Sequence, residues 1–469
     1  MTSKRHVPIW NFLLAFALGS TTCSHANDGD YIADDIGAAV CQYVDLVHER
    51  LGFSGVVLVG RDGKVVAAIP RGFAGESDKS PLRLTSLFEI ASCTKPFTAI
   101  ATLQLAESGK LSLDDSITEH LPNVPVNCKG ITIRHLLSHT SGIPGTNTNG
   151  SGDDIAGVVP KFLAGGPKHK PGENYEYWNQ GYALLSEIVA RASGSSYTQY
   201  VQDHIFVPCK MSASRFTGDE APAGSSVAVG RSTRGASRSA LEHPYGSYGF
   251  QYRGMGGLVT NVKDLWKWDR ALHSNQLISQ KLLTEMTMSG AGGYGLGWFV
   301  QADLNGKPSQ RHGGSVRGFL TEIRRYPSLD GALFVLSNSD DSLPIMIVKA
   351  GVEQILFGKQ PNMVIPQTPD RRLLGRVEGE YKDAKGRRLV IASSGKLPSL
   401  KIYWGGPVTV GYLGLDDSAV PQLYMTKPVQ GSIQFVADSA LEFAPRTGKA
   451  DSVSLLGVTP KLTFRRTSR

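Results

Sequence analysis

Three short clusters in this 469-residue chain hold side chains that could cooperate in nucleophilic chemistry. Ser92-Cys93-Thr94-Lys95 places a Ser and a Lys three residues apart at the predicted start of a helix, which stacks them on one face. A serine hydroxyl is a weak nucleophile near neutral pH and needs a base beside it. Lys serves only with a lowered pKa, and the positive end of a helix dipole together with desolvation lowers it. Pro96 suits a first turn, where its missing N–H costs nothing. Tyr177-Trp178-Asn179 is the sole Tyr-x-Asn of the chain. A loop Tyr held near a cation can move a proton, and an Asn amide can bond both a Lys and a substrate carbonyl. His312-Gly313-Gly314-Ser315 stands where a strand is expected to begin, near residue 310. Glycines there signal close approach by another backbone or a ligand, and a backbone N–H could complete an oxyanion hole with that of Ser92. Each cluster alone also has a plain structural reading: a surface Lys near a Ser, a packed Tyr before a capping Asn, a Gly-rich turn beside an incidental His. A second Ser-x-x-Lys, Ser393 to Lys396, lies between predicted strands and reads as a solvated turn.

The elements that must position these clusters follow from periodicity. Residues 33 to 52 read as an amphipathic helix, and Gly55–Val59 with Lys64–Ala68 as a β-hairpin around Gly60-Arg61-Asp62-Gly63. Pro96 to Leu111 is helical in pattern, and helical segments recur to about residue 290. Strands are then expected at Tyr294–Val300, Leu320–Tyr326 and Ala332–Ser337, with a last helix at roughly Leu343–Phe357. An antiparallel sheet built from both ends of the chain, with a helical insert beside it, fits this order; the class is α+β. Pro361, Pro366 and Pro369 mark residues 359–370 as a linker. Short alternating runs over 371–469, such as Arg388–Ala392, Leu400–Trp404 and Lys461–Phe464, predict a small all-β barrel or sandwich.

Taken together, the three motifs in this order resemble the signature of the penicillin-recognising serine hydrolases, in the branch of class C β-lactamases, D-alanyl-D-alanine carboxypeptidases, esterases and D-aminopeptidases. Thr132–Gly142, Gly254–Val259 and Tyr294–Trp298 are similarly family-like, and the likeness spans about residues 34 to 358. It implies a β-lactamase/transpeptidase-like domain over 33–358 in which Ser92 forms an acyl-enzyme and Lys95 and Tyr177 share the proton traffic as a coupled pair. Asn179 would position Lys95 and the acyl side chain, Ser92 and Ser315 would supply the oxyanion N–H groups, and His312 matches the Lys of a Lys-Thr-Gly triplet. Two departures shift the expected substrate. His312 is only partly charged near neutrality, and Gly313 lacks the hydroxyl that would bond a β-lactam carboxylate. Arg317 is either a replacement for that contact or an exposed rim residue. The reading is an exported serine hydrolase of small esters, D-amino-acid amides or peptides, with no metal or organic cofactor. A β-lactamase and a non-hydrolytic penicillin- or cell-wall-peptide-binding protein are the alternatives.

Composition fits an ordinary globular protein: 41% hydrophobic and 19% charged. The formal charge is +8, but no run of five or six like charges stands out, so the excess reads as scattered and argues against nucleic acid as a partner. Association with an anionic cell-wall polymer or membrane face would suit it. Lys4, Arg5 and His6, the apolar run from Ile9 to Leu18, and Ser24-His25-Ala26 read as a signal peptide over residues 1–26. The protein is therefore expected to be periplasmic or secreted. Ser20-Thr21-Thr22-Cys23 lacks the Leu and the Gly or Ala of a lipobox, which argues against anchoring at Cys23. Cys41, Cys93, Cys128 and Cys209 read as buried small hydrophobes rather than a disulfide framework. No sequence feature sets the oligomeric state.

Overall fold

A computed structural model describes residues 29–75, 79–145, 155–233, 235–244, 252–362, 365–392, 396–403, 409–416, 419–429, 432–444, 449–450, 452–456 and 462–467. The expected signal peptide, and Ser393 to Gly395 of the second Ser-x-x-Lys, lie outside the described residues.

Helix α1 (Asp35–Leu51) starts on Asp34, whose carboxylate accepts the Gly37 N–H at 2.7 Å, and stops at Gly52 in the left-handed region. Strand β1 (Tyr31–Ile32) precedes it, and β2 (Gly55–Arg61) and β3 (Lys64–Arg71) follow, the hairpin turning through Asp62 and Gly63, both at positive φ. Near the other end of the domain come β9 (Phe299–Ala302), β10 (Pro308–Val316), β11 (Phe319–Tyr326), β12 (Gly331–Ser337) and helix α9 (Ser342–Leu356). They complete one antiparallel sheet of order β1-β3-β2-β12-β11-β10-β9, joined where β2 pairs with β12. Alternation assigns each side chain to a layer. Val57, Val59, Leu333 and Val335 pack under α1 and α9, while Val56, Leu58, Phe334 and Leu336 join the core of the helical region. Both faces are covered, so these strands read as unbroken apolar runs.

Between the two ends lie α2 (Lys95–Glu107), α3 (Ile133–Leu137), α4 (Ile155–Phe162), α5 (Asn179–Ser193), α6 (Tyr197–Val201), α7 (Val262–His273) and α8 (Gln280–Met286). Short strands β4 (Phe88–Glu89), β5 (Arg215–Phe216), β6 (Val229–Gly230), β7 (Arg238–Ser239) and β8 (Leu258–Thr260) brace them, with β8 between β4 and β5. Helix α2 is apolar nearly all round and runs through the middle of the domain. One expected strand is largely absent: of Tyr294–Val300 only Phe299 and Val300 are extended in a strand. Gly292, Gly293 and Gly297 take positive φ, so the chain coils and buries Tyr294 and Trp298 before it enters β9.

The last part is a closed eight-stranded meander: β13 (Gly379–Lys382), β14 (Arg388–Ala392), β15 (Ser399–Tyr403), β16 (Thr409–Leu415), β17 (Pro421–Val429), β18 (Ser432–Ala444), β19 (Ser452–Leu455) and β20 (Leu462–Arg466). Closure removes the exposed edges that eight short strands would leave. Helix α10 (Arg371–Val377) precedes it, with Leu373 and Leu374 packed on a core that includes Tyr381, Leu400 and Phe464. Ile365, Leu397 and Tyr424 join the cluster of α1 and α9, and Thr368 Oγ1 donates to the Arg50 carbonyl at 2.6 Å. The barrel thus sits against the outer helices, on the sheet face away from α2.

Candidate active site

Ser92 lies on a 3-10 turn, Ala91–Thr94, that links β4 to α2. The turn is fixed from several sides. The Ile90 N–H donates to the Leu258 carbonyl at 2.9 Å, the Cys93 N–H to Ile90 at 3.0 Å, and Thr94 Oγ1 to Ala91 at 2.7 Å. Ala91 itself has φ 48, a left-handed conformation rare for a residue with a side chain, immediately before the serine.

Lys95, the first residue of α2, is fully buried, and Nζ lies 3.1 Å from Ser92 Oγ, 2.8 Å from Asn179 Oδ1 and 2.9 Å from the Met255 carbonyl. Burial pushes its pKa down to about 7, so the neutral amine is well populated near neutrality. A neutral amine has two N–H donors and one lone pair. The Asn179 and Met255 oxygens can only accept, so they take both donors and leave the lone pair for the Ser92 hydroxyl. The Tyr177 hydroxyl lies beside Ser92, and its ring centroid is 4.9 Å from Lys95 Nζ. Burial drives the Tyr177 pKa upward, only partly opposed by the neighbouring Ser92, so this phenol stays protonated at neutral pH. Asn179 opens α5 and commits its side-chain oxygen to Lys95 rather than to a cap.

Sequence reading missed His139, although it lies in a stretch noted as family-like. Its backbone is left-handed at φ 56, its carbonyl accepts the Glu176 N–H at 2.8 Å, and Nδ1 accepts the Trp178 N–H at 3.1 Å. The ring packs 4.3 Å from that of Tyr177, centroid to centroid. The His139 carbonyl and imidazole therefore hold the Tyr177 segment on both sides, and burial keeps the ring neutral.

Strand β10 forms the opposite wall. Gly314 abuts the Ile90 carbonyl so closely that a Cβ would collide with it, which accounts for glycine there. The Cys93 thiol donates to the His312 carbonyl at 3.2 Å. Ser315 is exposed at the site end of the strand, opposite Leu320. His312 is buried. Its Nδ1 donates to the Gly313 carbonyl at 2.8 Å, and Nε2 accepts from Tyr294 Oη at 3.1 Å. Burial, with the nearby Lys95 charge, lowers its pKa to about 3. The partial charge expected for His312 is absent at neutral pH, so it cannot replace the cation of a Lys-Thr-Gly triplet.

A cavity of about 390 Å³ opens beside this wall, lined by Tyr175, Tyr177, Phe299, Arg311, His312, Gly313, Glu322 and Lys349. Of its two cations Lys349 is paired with Glu322, and the other is Arg311, also missed from sequence. Arg311 Nε is buried without a hydrogen-bond partner among the described residues, and the guanidinium lies 5.8 Å from the Phe299 centroid. Arg317, the alternative raised from sequence, is exposed and does not line the cavity. Glu322 is bonded by Arg324 at 2.8 Å and Lys349 at 2.9 Å, whose charges outweigh burial and hold it at about 2. Among the described residues, no group of three or more His, Cys, Asp or Glu side chains is arranged to hold a metal ion. All four described cysteines are buried free thiols.

Comparison with known proteins places this geometry in context. A family model described as beta-lactamase matches residues 42–354. A penicillin-binding protein of Bacillus subtilis is 32% identical over 378 residues, covering 72% of this chain and 82% of that protein. Among solved structures, an octameric penicillin-binding protein homologue from Pyrococcus abyssi superposes with a TM-score of 0.64 at 26% identity, covering 92% of this chain and 100% of that one. A D-amino acid amidase from Ochrobactrum anthropi shares the fold, with a TM-score of 0.58 at 24% identity over 69% of this chain and 98% of its own.

Proposed function

The chain belongs to the beta-lactamase family of hydrolases, and we propose that it is an exported serine hydrolase that acylates and deacylates Ser92. The observation that carries this reading is the neutral Lys95 amine, whose only uncommitted valence faces the Ser92 hydroxyl. As Ser92 Oγ bonds the substrate carbonyl carbon, its proton passes to Lys95 Nζ. Tyr177, protonated and beside Ser92, is placed to deliver a proton to the leaving alkoxide or amine as the carbonyl–heteroatom bond breaks. The oxyanion is assigned to the N–H groups of Ser92 and Ser315, on the two walls. Lys95 returns its proton to Tyr177 and is again the neutral amine; water then attacks the ester carbon, Lys95 takes its proton and passes it to Ser92 Oγ as the acyl–Oγ bond breaks, which releases the acid product.

The substrate class is small esters, D-amino-acid amides or peptides. A neutral His312 and a glycine at 313 leave those two positions without the cation and hydroxyl of a Lys-Thr-Gly triplet, and the cation on this wall is displaced to Arg311. The likeness to a penicillin-binding protein supports a second reading, in which β-lactams acylate Ser92. Intact-mass spectrometry after exposure to a fluorophosphonate, and separately to a penicillin, tests both. A fluorophosphonate adduct that vanishes in Ser92→Ala supports the hydrolase, and a penicillin adduct adds the second reading. Absence of any adduct overturns both. Export is inferred from residues 1–26 and is checked by N-terminal sequencing of the protein recovered from the medium or periplasm.

A further inference from the structure

The net charge is not scattered once it is divided by domain. Residues 371–469 hold 16 Lys and Arg against 8 Asp and Glu, while residues 1–370 hold 33 of each. The whole +8 of the chain therefore resides in the barrel module. No local run betrays it, because strand pairing rather than sequence adjacency brings the cations together.

In the barrel, Lys382 is directly opposite Arg388 on one side and Arg465 on the other, so three cations form a row across β20, β13 and β14. Lys401 on β15 is two residues from Tyr403, the partner of Arg388, and so shares the same outer face. All four cations are exposed. Glu380 is the one acid in these four strands, and both its oxygens are taken by Arg388, at 2.7 and 3.0 Å. Lys382, Lys401 and Arg465 form no salt bridge among the described residues. Like charges directly opposite in a sheet repel. Glu380 offsets Arg388, but Lys382 and Arg465 stay directly opposite with no salt bridge among the described residues, a repulsion that a bound anion would relieve.

This face is turned outward. The barrel meets the hydrolase domain through β16, β17 and the loop between β14 and β15: Gln367 is bridged to Leu415, Tyr424 and Leu397 pack against the α1 and α9 cluster, and Lys396 Nζ donates to the Glu49 carbonyl. Strand order puts β13, β14 and β20 on the opposite wall. The described residues of the four strands expose no large apolar side chain of the kind that enters a bilayer, and the one ring on this face, Tyr403, is covered by the Arg388 guanidinium at 5.0 Å. Neither lipid insertion nor base stacking is provided for.

We propose that the outer face of β20, β13, β14 and β15 docks the enzyme on a flexible linear polyanion, a phosphodiester or carboxylate polymer of the cell envelope. The contact is electrostatic and independent of Ser92 chemistry. Binding of the mature chain to long-chain inorganic polyphosphate, titrated from low to high salt, tests it, with single-stranded DNA and phosphatidylglycerol vesicles as parallel arms. The expected result is strongest binding to polyphosphate, weakening linearly in log salt. In Lys382→Gln/Lys401→Gln/Arg465→Gln the slope should drop by about 2, roughly 0.7 per lost contact on a single-stranded polyanion. Turnover of a small neutral ester should be unchanged, and the melting temperature unchanged or higher because the row is relieved. Salt-independent binding, binding unaffected by the triple substitution, or tighter binding to DNA or vesicles would each overturn the assignment. The melting temperature separates a lost surface from a misfolded barrel.

Discussion

On the nucleophile side of the site, Ser92, Lys95, Tyr177 and Asn179 form a closed set in which both donors and the lone pair of a neutral Lys95 have partners. On the strand side, His312 is neutral, Gly313 carries no side chain, and the cation stands instead at Arg311, whose buried Nε has no partner among the described residues. The first region is completed by the protein itself, whereas the second is left for a ligand to complete. The chemistry and the choice of substrate are therefore separable, and substitutions on the two sides should fail in different ways.

The largest effect is expected at Lys95. Lys95→Ala removes the base and leaves the Asn179 and Met255 oxygens without their donor. Ester turnover should fall about 10³-fold or more, within the range general-base catalysis supplies. Stopped-flow acylation by a chromogenic ester measures it. A loss of less than tenfold would transfer the base role elsewhere and erase the contrast between the two walls.

The glycines of β10 come next, because the walls meet there. A Cβ at 314 collides with the Ile90 carbonyl, whereas one at 313 meets Glu322 Oε2 only at 3.5 Å. Gly314→Ala should cost about 1–3 kcal/mol by overpacking. By displacing the nucleophile turn it should also cut turnover about 10²-fold. Gly313→Ala should stay near wild type in both thermal melting and turnover. Equal behaviour of the two variants would contradict the close approach at Ile90.

The pH profile sharpens the comparison further. A base acts when deprotonated, so kcat/KM should climb about tenfold per pH unit below the Lys95 pKa of about 7 and level off above it. His312, at about 3, is deprotonated throughout that range and should add no limb. The profile of His312→Gln should keep the same midpoint. A midpoint that moves with His312 would make the strand wall part of the proton path.

The part of the site that was legible in the sequence is the part built locally or from rare tokens. A helix turn suffices to stack Ser92 on Lys95, and the sole Tyr-x-Asn had nothing to compete with. His139 escaped because its role is to support the Tyr177 segment from a distant loop, and nothing in spacing reports a left-handed histidine. Arg311 escaped because β-strand alternation sends neighbours to opposite faces, and only the fold brings Glu322 and Lys349 round to share its cavity. The sheet was readable from its apolar runs. Tyr294–Val300 was not, since glycines at positive φ convert an alternating pattern into a coil. In the barrel, β13 and β19 are four-residue strands too short to show a period.

The smallest effect tests the strand wall alone. If Arg311 is the group that reads the substrate, Arg311→Met should raise KM for an ester bearing a free carboxylate about tenfold, the equivalent of 1.4 kcal/mol, and leave a neutral ester untouched. Methionine keeps the aliphatic stem against Phe299 and removes only the charge. The sign follows from the local balance: Glu322 is already matched by Arg324 and Lys349, so the cavity presents Arg311 as excess positive charge. A cationic ester provides the converse check, because losing Arg311 should lower its KM. Were both esters affected alike, through kcat, Arg311 would be supporting β10 and the nucleophile turn instead. The separation between a self-completed wall and a ligand-completed wall would then no longer hold.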